Sequence, residues 1–579
     1  MERRVVLFLI LSLLILFGYD FLLKKLGYTP VTQPPNLDRP QETPPSSERT
    51  NETQTPRFTS SLSAPFSEER GSVDQEILEE VETPLYRAVF SNRGAQLRSW
   101  QLKQYLTRSP DNPQPIELVY QEGQFPGPLT LQISDPELTD VLQTGLYDVT
   151  RDFTVLDPQH PVGHLTFSYI HPERAIRVIK ELTFHHDSYV VDIAVTLEGL
   201  SGDPELLLGT NFGIVEWVEG FIGLFGPAWM IDGQLEKEVP DPEIHRSGEL
   251  RWGALQDKYF IGVIIPEHAN GFSARKEAER VISASIHFPP VEEQARLAMR
   301  LYAGPKQFDI LQSFQLGLED TIDFGWFIYG SWGIVKAVAK PLFFVLRFLY
   351  DYTHNYGLAI ILLTVGIKLL FAPLQYKSYK AMQGMQHIQP KVAALQEKYK
   401  DDRERLNREL IKLYREHKVN PVGGCLPMLL QMPVFVALFN ILYMTVDLRQ
   451  APFILWITDL SVKDPYYVLP ILMGISMVVQ QKIMPTTMDP TQAKMMMILP
   501  VFLTFIFITF PAGLVLYWLT NNVLTILQQF ITDRFLLQRP APTPISSSND
   551  GKVPPVTDGK EPSPKKTKGV KKETQKPPV

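Results

Sequence analysis

The chain has 579 residues, 44% of them hydrophobic, with a formal net charge of −7, 48 prolines and one cysteine. That length exceeds a single ordinary domain. A lone Cys425 excludes an intrachain disulfide framework and any CxxC metal or redox site, and the near-average apolar fraction hides strong clustering of apolar residues into blocks.

The first block is VVLFLILSLLILFGYDFLL, Val5 to Leu23, behind Arg3 and Arg4. About 19 apolar residues are enough to cross a bilayer. No small-residue cleavage site follows, so residues 1–28 are predicted to form an uncleaved transmembrane anchor with its N-terminus inside. Residues 29–63 are rich in Pro, Ser, Thr, Gln and Glu. They cannot bury much apolar surface and read as a flexible linker.

From 64 to 325 the pattern alternates. In IRVIKELTFHHDSYVVDIAVTL, Tyr189, Val191, Ile193, Val195 and Leu197 fall on one face of a strand. KYFIGVIIP and RLAMRLYAG read similarly. Many short strands broken by Gly, Pro and Asp predict a large antiparallel sandwich outside the membrane. Residues 326–356 follow, with Lys336, Lys340 and Arg347 at helical spacing and Leu342, Phe343, Leu346 and Leu349 pointing elsewhere. This predicts an interfacial amphipathic helix lying on the bilayer.

Five further apolar segments fall in 357–535: Leu358–Leu374, Cys425–Val446, Tyr467–Met484, Met495–Phe510 and Gly513–Ile531. Gln375–Asn420 carries eleven Lys/Arg against six Asp/Glu, and Arg534–Val579 ten against four. The opposite connectors carry only Arg449 and Lys463. The positive-inside rule then predicts six spans, both termini and the basic loop in the cytosol, and the β domain outside. Within 375–422, Ile388, Val392, Leu395 and Tyr399, then Leu406, Leu410 and Leu413, form the stripes of a helical hairpin. Residues 536–579 read as a basic disordered tail.

Lys368 stands out. An ammonium within an apolar span costs about 2.5–3.5 kcal/mol on insertion scales. It either snorkels toward the cytosolic headgroups past Pro373 or lines a hydrated cavity between helices. Thr364 lies one turn away on the same face. Gln431, Asn440, Gln480, Gln481, Thr520, Asn521, Asn522 and Thr525 add polar groups to other spans. Each alone suggests an interhelical hydrogen bond; together with Lys368 they suggest a bundle polar in its cytosolic half. Tyr517 and Trp518 suit an aromatic belt. No nucleotide, metalloprotease or serine-hydrolase motif is present. A transporter would call for inverted repeats, which the five segments do not suggest; a tethered carbohydrate-active enzyme is a third reading of the outer domain.

NPVGGCLPMLLQMPVFVALF, LRQAPFILWITDLSVKDPYYVLPILMG and FPAGLVLYWLTNN resemble the YidC/Oxa/Alb membrane protein insertase family, across about Trp332 to Arg539. DKYFIGVIIP and LYAGPK resemble, more loosely, the periplasmic domain of its Gram-negative YidC branch. The resemblance implies a polytopic α-helical protein with a five-helix insertase core and an all-β periplasmic supersandwich. It implies insertion and chaperoning of nascent membrane proteins in the bacterial inner membrane, alone or with the Sec translocon, without covalent chemistry, cofactor, metal or small-molecule substrate. Lys368 occupies a groove position usually held by arginine, and Thr364, Gln481, Trp518 and Tyr517 would line that groove, with Gln480 the alternative register for Gln481. The alternative function is a small-solute transporter or channel. Membrane lipids are expected partners, and ribosomes are suggested by the basic tail and hairpin.

Overall fold

Strict alternation builds the N-terminal half into sheets. In Arg177–His185, Val178, Lys180, Leu182 and Phe184 point inward; in Val190–Glu198, Val191, Ile193, Val195 and Leu197 do. The computed structural model describes residues 75–108, 112–215, 225–327, 330–400, 402–417, 419, 426–483, 497–532 and 534. The predicted anchor, linker and basic tail, and Cys425, lie outside them. All described residues belong to one compact unit, Ser72–Val579.

The largest sheet has nine strands, in the spatial order Gln234–Lys237, Gly226–Ile231, Leu250–Gln256, Phe260–Pro266, Gln294–Pro305, Val190–Glu198, Arg177–His185, Val162–Ile170 and Asp148–Arg151. Every neighbouring pair is antiparallel. A four-stranded sheet over Leu78–Glu117 packs against one end, where Phe90 meets Phe167 and Phe184. A five-stranded sheet covers the other end, where Trp229 stacks on Phe272 at 5.3 Å. Large rings buried between facing sheets supply most of the apolar area that holds such a sandwich together.

Two lysines sit inside this core. Lys180 takes an inward position of its strand, and its Nζ donates to the carbonyls of Gly94 (3.0 Å), Ala95 (3.1 Å) and Leu129 (2.8 Å). Lys306 donates to Gln256 Oε1 (2.8 Å) and to the carbonyls of Thr321 (3.0 Å) and Asp257 (3.3 Å). Each stitches loops that carry unpaired carbonyls, which is how a buried cation is tolerated. Burial pushes both ammonium groups down to about 7.

Helices follow: α1 (Pro136–Thr144) and α2 (Phe308–Ser313) within the β domain, then α3 (Gly333–Thr353), α4 (Tyr356–Lys398), α5 (Arg403–Glu416), α6 (Leu426–Met444), α7 (Val468–Ile483), α8 (Leu499–Phe507) and α9 (Ala512–Ile531). Helix α3 has three faces. Val335, Ala339, Phe343 and Leu346 are buried, Phe343 against Phe308 and Phe324. Ile334, Val345, Phe348 and Tyr352 form an exposed apolar stripe. Lys336 and Lys340 reach Asp320 (2.8 and 3.6 Å), and Arg347 pairs with Asp309. The basic stripe of the amphipathic helix thus faces acids of the β domain.

Helix α4 runs for 43 residues, about 64 Å at 1.5 Å per residue, with Pro373 and Pro390 inside it. The span ending near Leu374 and the first arm of the hairpin are one continuous helix. Proline removes one amide donor but does not compel a break when neighbours support the backbone. In the hairpin arms, Ile388 and Leu413 are buried, on the two predicted stripes.

Among the described residues, two helices, α4 and α9, are long and apolar enough to cross a membrane; residues 430–444 of α6 and helix α7 are shorter apolar helices, and α8 is described over nine residues.

A buried cation and a polar stripe between helices α4, α7 and α9

Helix α9 packs on α7 and on α4. Its residues Trp518, Asn522, Thr525 and Gln529 recur at i, i+4, i+7 and i+11, so they share one face. Three of them make polar contacts to neighbouring helices. Asn522 Nδ2 donates to Ser476 Oγ of α7 (3.1 Å), and Gln529 Nε2 to the Ile483 carbonyl at the end of α7 (2.8 Å). Thr525 Oγ1 accepts from Lys368 Nζ of α4 (2.8 Å).

Lys368 is 7% exposed. Its stem does not reach outward past Pro373 as snorkelling requires; it turns across to α9. Thr364, one turn earlier, is also buried, and its hydroxyl donates back to the Ile360 carbonyl of its own helix (2.6 Å). It contributes shape beside Lys368 while its proton is spent locally.

The other residues singled out from the sequence lie apart from this contact. Tyr517 is buried and Trp518 half-buried in an aromatic cluster. The Trp518 ring stands edge-on to Phe435 of α6 (5.0 Å) and Phe507 of α8 (4.5 Å), and Tyr517 lies 6.2 Å from Phe435. Neither has the exposed position of an aromatic belt. Trp518 precedes Thr525 by seven residues, about 10 Å along the axis. Gln481 is half-buried on the last turn of α7. Ser476 marks the side of α7 that meets α9; Gln480 follows it at i+4, on the same side, whereas Gln481 is turned about 140° from Ser476.

Two polar residues that the sequence grouped with Lys368, or passed over, act at the opposite end. Asn440, fully buried, donates from Nδ2 to the carbonyl of Phe324 (2.8 Å), so it ties α6 to the segment leaving the β domain. Arg449, 6% exposed, donates from Nη2 to the Leu106 carbonyl (2.8 Å), with its guanidinium 5.5 Å from the Tyr259 and Phe260 ring centroids. The Leu106 amide in turn donates to Gln450 Oε1 (3.1 Å). Lys258 Nζ sits 3.5 Å from the Tyr443 ring centroid. Together these seat the β domain on the end of α6 opposite the hairpin. No local periodicity encodes pairings separated by more than a hundred residues; the only sequence signal was that Arg449 is one of two cations in the outer connectors.

Among the described residues, no group of three or more His, Cys, Asp or Glu is placed to hold a metal ion. The outcome, among the described residues, is a helical core in which the buried Lys368 is hydrogen-bonded across two helices, joined to a mainly β domain.

Comparison with known proteins covers both halves. Residues 79–345 match the model of the YidC periplasmic domain, and residues 348–539 that of the 60Kd inner membrane protein family. The membrane protein insertase YidC of Syntrophus aciditrophicus is 38% identical over 559 residues, covering 92% of this chain and 100% of that one. That of Geotalea daltonii is 37% identical, covering 93% and 100%. A crystal structure of an active YidC insertase with its first transmembrane domain resolved is 20% identical, covering 80% of this chain and 94% of that one, at a TM-score of 0.34. With identity at this level running through the sandwich and the helical core alike, the chain belongs to the YidC family of membrane protein insertases, inner-membrane proteins with a periplasmic β domain that insert proteins rather than transport solutes or catalyse covalent chemistry.

Proposed function

We propose that Lys368 is the floor of a cytosol-open hydrophilic groove that receives the polar tails of nascent membrane proteins. The observation that carries this reading is a buried ammonium held between α4 and α9, inside helices whose outer faces are apolar. A client with one span must move a polar tail across hydrocarbon, where each unsatisfied backbone group costs several kcal/mol. A hydrated dent shortens that path, and a cation within it attracts an acidic tail. Thr364 and Gln481, or Gln480 in its place, line the dent near the charge; Tyr517 and Trp518 close it toward the periplasm. The client's apolar segment slides along α6 and α8. Support comes from Leu430, Met432, Val501, Phe502 and Phe505, all exposed, with Phe505 at 75%. Lipid burial of the client span supplies the free energy, so no nucleotide is required.

The topology that fits this reading has six spans, the anchor 1–28 and five in 357–535, with both termini cytosolic and the amphipathic segment 326–356 on the periplasmic surface. The hairpin of 375–422 and the basic tail 536–579 would meet ribosomes, whose RNA binds lysine by releasing counterions. The Sec translocon is the second expected partner. Membrane lipids cover the exposed apolar faces.

The test uses purified protein in lipid vesicles without ATP, offered single-span clients with acidic or neutral tails. Lys368→Glu lowers insertion of the acidic-tailed client about tenfold or more, as expected where attraction becomes repulsion in a partly desolvated site, and spares the neutral one. Equal insertion of the acidic client by variant and parent would remove the electrostatic role.

A further inference from the structure

We infer that Thr525 is a positioning residue that sets where the Lys368 charge stands in the membrane; the inference deepens the groove reading and rests on it. Lysine is a point charge on a flexible four-carbon stem, without the rigid donor fork that lets arginine fix itself against a planar partner. Left alone between apolar helices, such a stem extends to the nearest water. Lys368 does not. Its Nζ lies 2.8 Å from Thr525 Oγ1 and the residue is 7% exposed.

The direction of this hydrogen bond is fixed by chemistry. An ammonium has only donors, so Thr525 Oγ1 must accept. The threonine proton is already committed, because Oγ1 donates to the Asn521 carbonyl at 2.6 Å. A hydroxyl that donates to a carbonyl is polarised and accepts more strongly. The acceptor also stands on a braced backbone. One turn on either side, Asn522 and Gln529 tie α9 to Ser476 and the Ile483 carbonyl of α7. Thr525 therefore holds the ammonium at a fixed depth, and α7 holds Thr525.

Thr525→Val keeps shape and removes the acceptor; Thr525→Ser keeps the acceptor and removes a methyl group. Two readouts are taken on full-length protein in lipid vesicles. The first is labelling of the Lys368 amine by a water-soluble acylating reagent, read by mass spectrometry. The second is the ratio of acidic-tailed to neutral-tailed client inserted. Loss of a hydrogen bond to a charged group corresponds to roughly tenfold or more. Thr525→Val is expected to raise Lys368 labelling by about that factor and to lower the insertion ratio, while Thr525→Ser restores both toward the parent. Labelling and ratio unchanged in Thr525→Val overturn the inference. So does equal behaviour of the Val and Ser variants, because packing alone would then explain the effect. Lys368→Gln is run alongside. If it leaves the ratio at the parent value, the electrostatic reading of the groove fails, while the labelling still decides whether Thr525 holds the amine.

Discussion

At the scale of single residues, the buried cations show how position in a pattern and chemical type disagree where something is being built. Lys180 stands at a core position of an otherwise apolar alternation, and three carbonyls explain it. Lys180→Met should destabilise the β domain by roughly 1–3 kcal/mol for the carbonyls left buried without a donor. The pH dependence has a definite sign. An unfolded lysine keeps its proton to its ordinary value of 10.5, whereas Lys180 and Lys306 release theirs at about 7. Between those values the unfolded chain binds more protons, so stability rises with pH. Thermal unfolding of the purified protein, followed by circular dichroism between pH 7 and 9, should show a rising midpoint, and a smaller rise in Lys180→Met. Lys368 was legible as anomalous from the sequence alone, since one charge in a long apolar run needs a reason. Its partner was not: Thr525 was one polar residue among several, and only the packing of α9 on α4 selects it.

At the scale of elements, periodicity identified strands and hairpin stripes, because both depend on neighbours within a few residues. It gave the apolar span and the hairpin from 375 as consecutive segments, and α4 runs through both, with Pro373 inside it. It also grouped Asn440 with the cytosolic polar set, although Asn440 bonds to Phe324 at the other end of α6. Polarity reports that a residue has a partner and not on which side. Close approach is equally invisible. A Cβ placed on Gly474 of α7 would lie 2.1 Å from Thr504 Oγ1 and 3.1 Å from Thr504 Cβ of α8. A short branched side chain cannot swing clear, so Gly474→Val should force α7 and α8 apart at a cost of about 1–3 kcal/mol. The expected result is a lower unfolding midpoint in detergent, and cross-linking between cysteines introduced on the two helices should fall. An unchanged midpoint would show that α8 shifts freely.

At the scale of the whole molecule, a sandwich and a helical bundle meet through a small set of directional contacts. Arg449 is central: its guanidinium is nearly fully buried, bonded to the Leu106 carbonyl and flanked by two rings. Removing it strips a charge-assisted hydrogen bond of about 1.5–3 kcal/mol and two cation–π contacts. Arg449→Ala should therefore speed hydrogen exchange in residues 103–108, which the Leu106 amide joins to Gln450, and leave strands such as Val190–Glu198 unchanged. Uniform protection in both segments would mean the seat holds without the guanidinium. The two-part architecture was legible because composition changes so sharply along the chain. How the parts join was not, since the contacts pair residues more than three hundred positions apart.

That seat has a consequence for how the protein itself is made. Synthesis proceeds from the N-terminus, so Leu106, Tyr259 and Phe260, which surround the guanidinium, are made before Arg449. Lys and Arg are ordinarily enriched in cytoplasmic loops, away from a periplasmic domain. Here one carbonyl and two rings of the β domain enclose such a charge. The earlier-made half of the chain thereby carries the counterparts that a later-made cation needs beside the β domain.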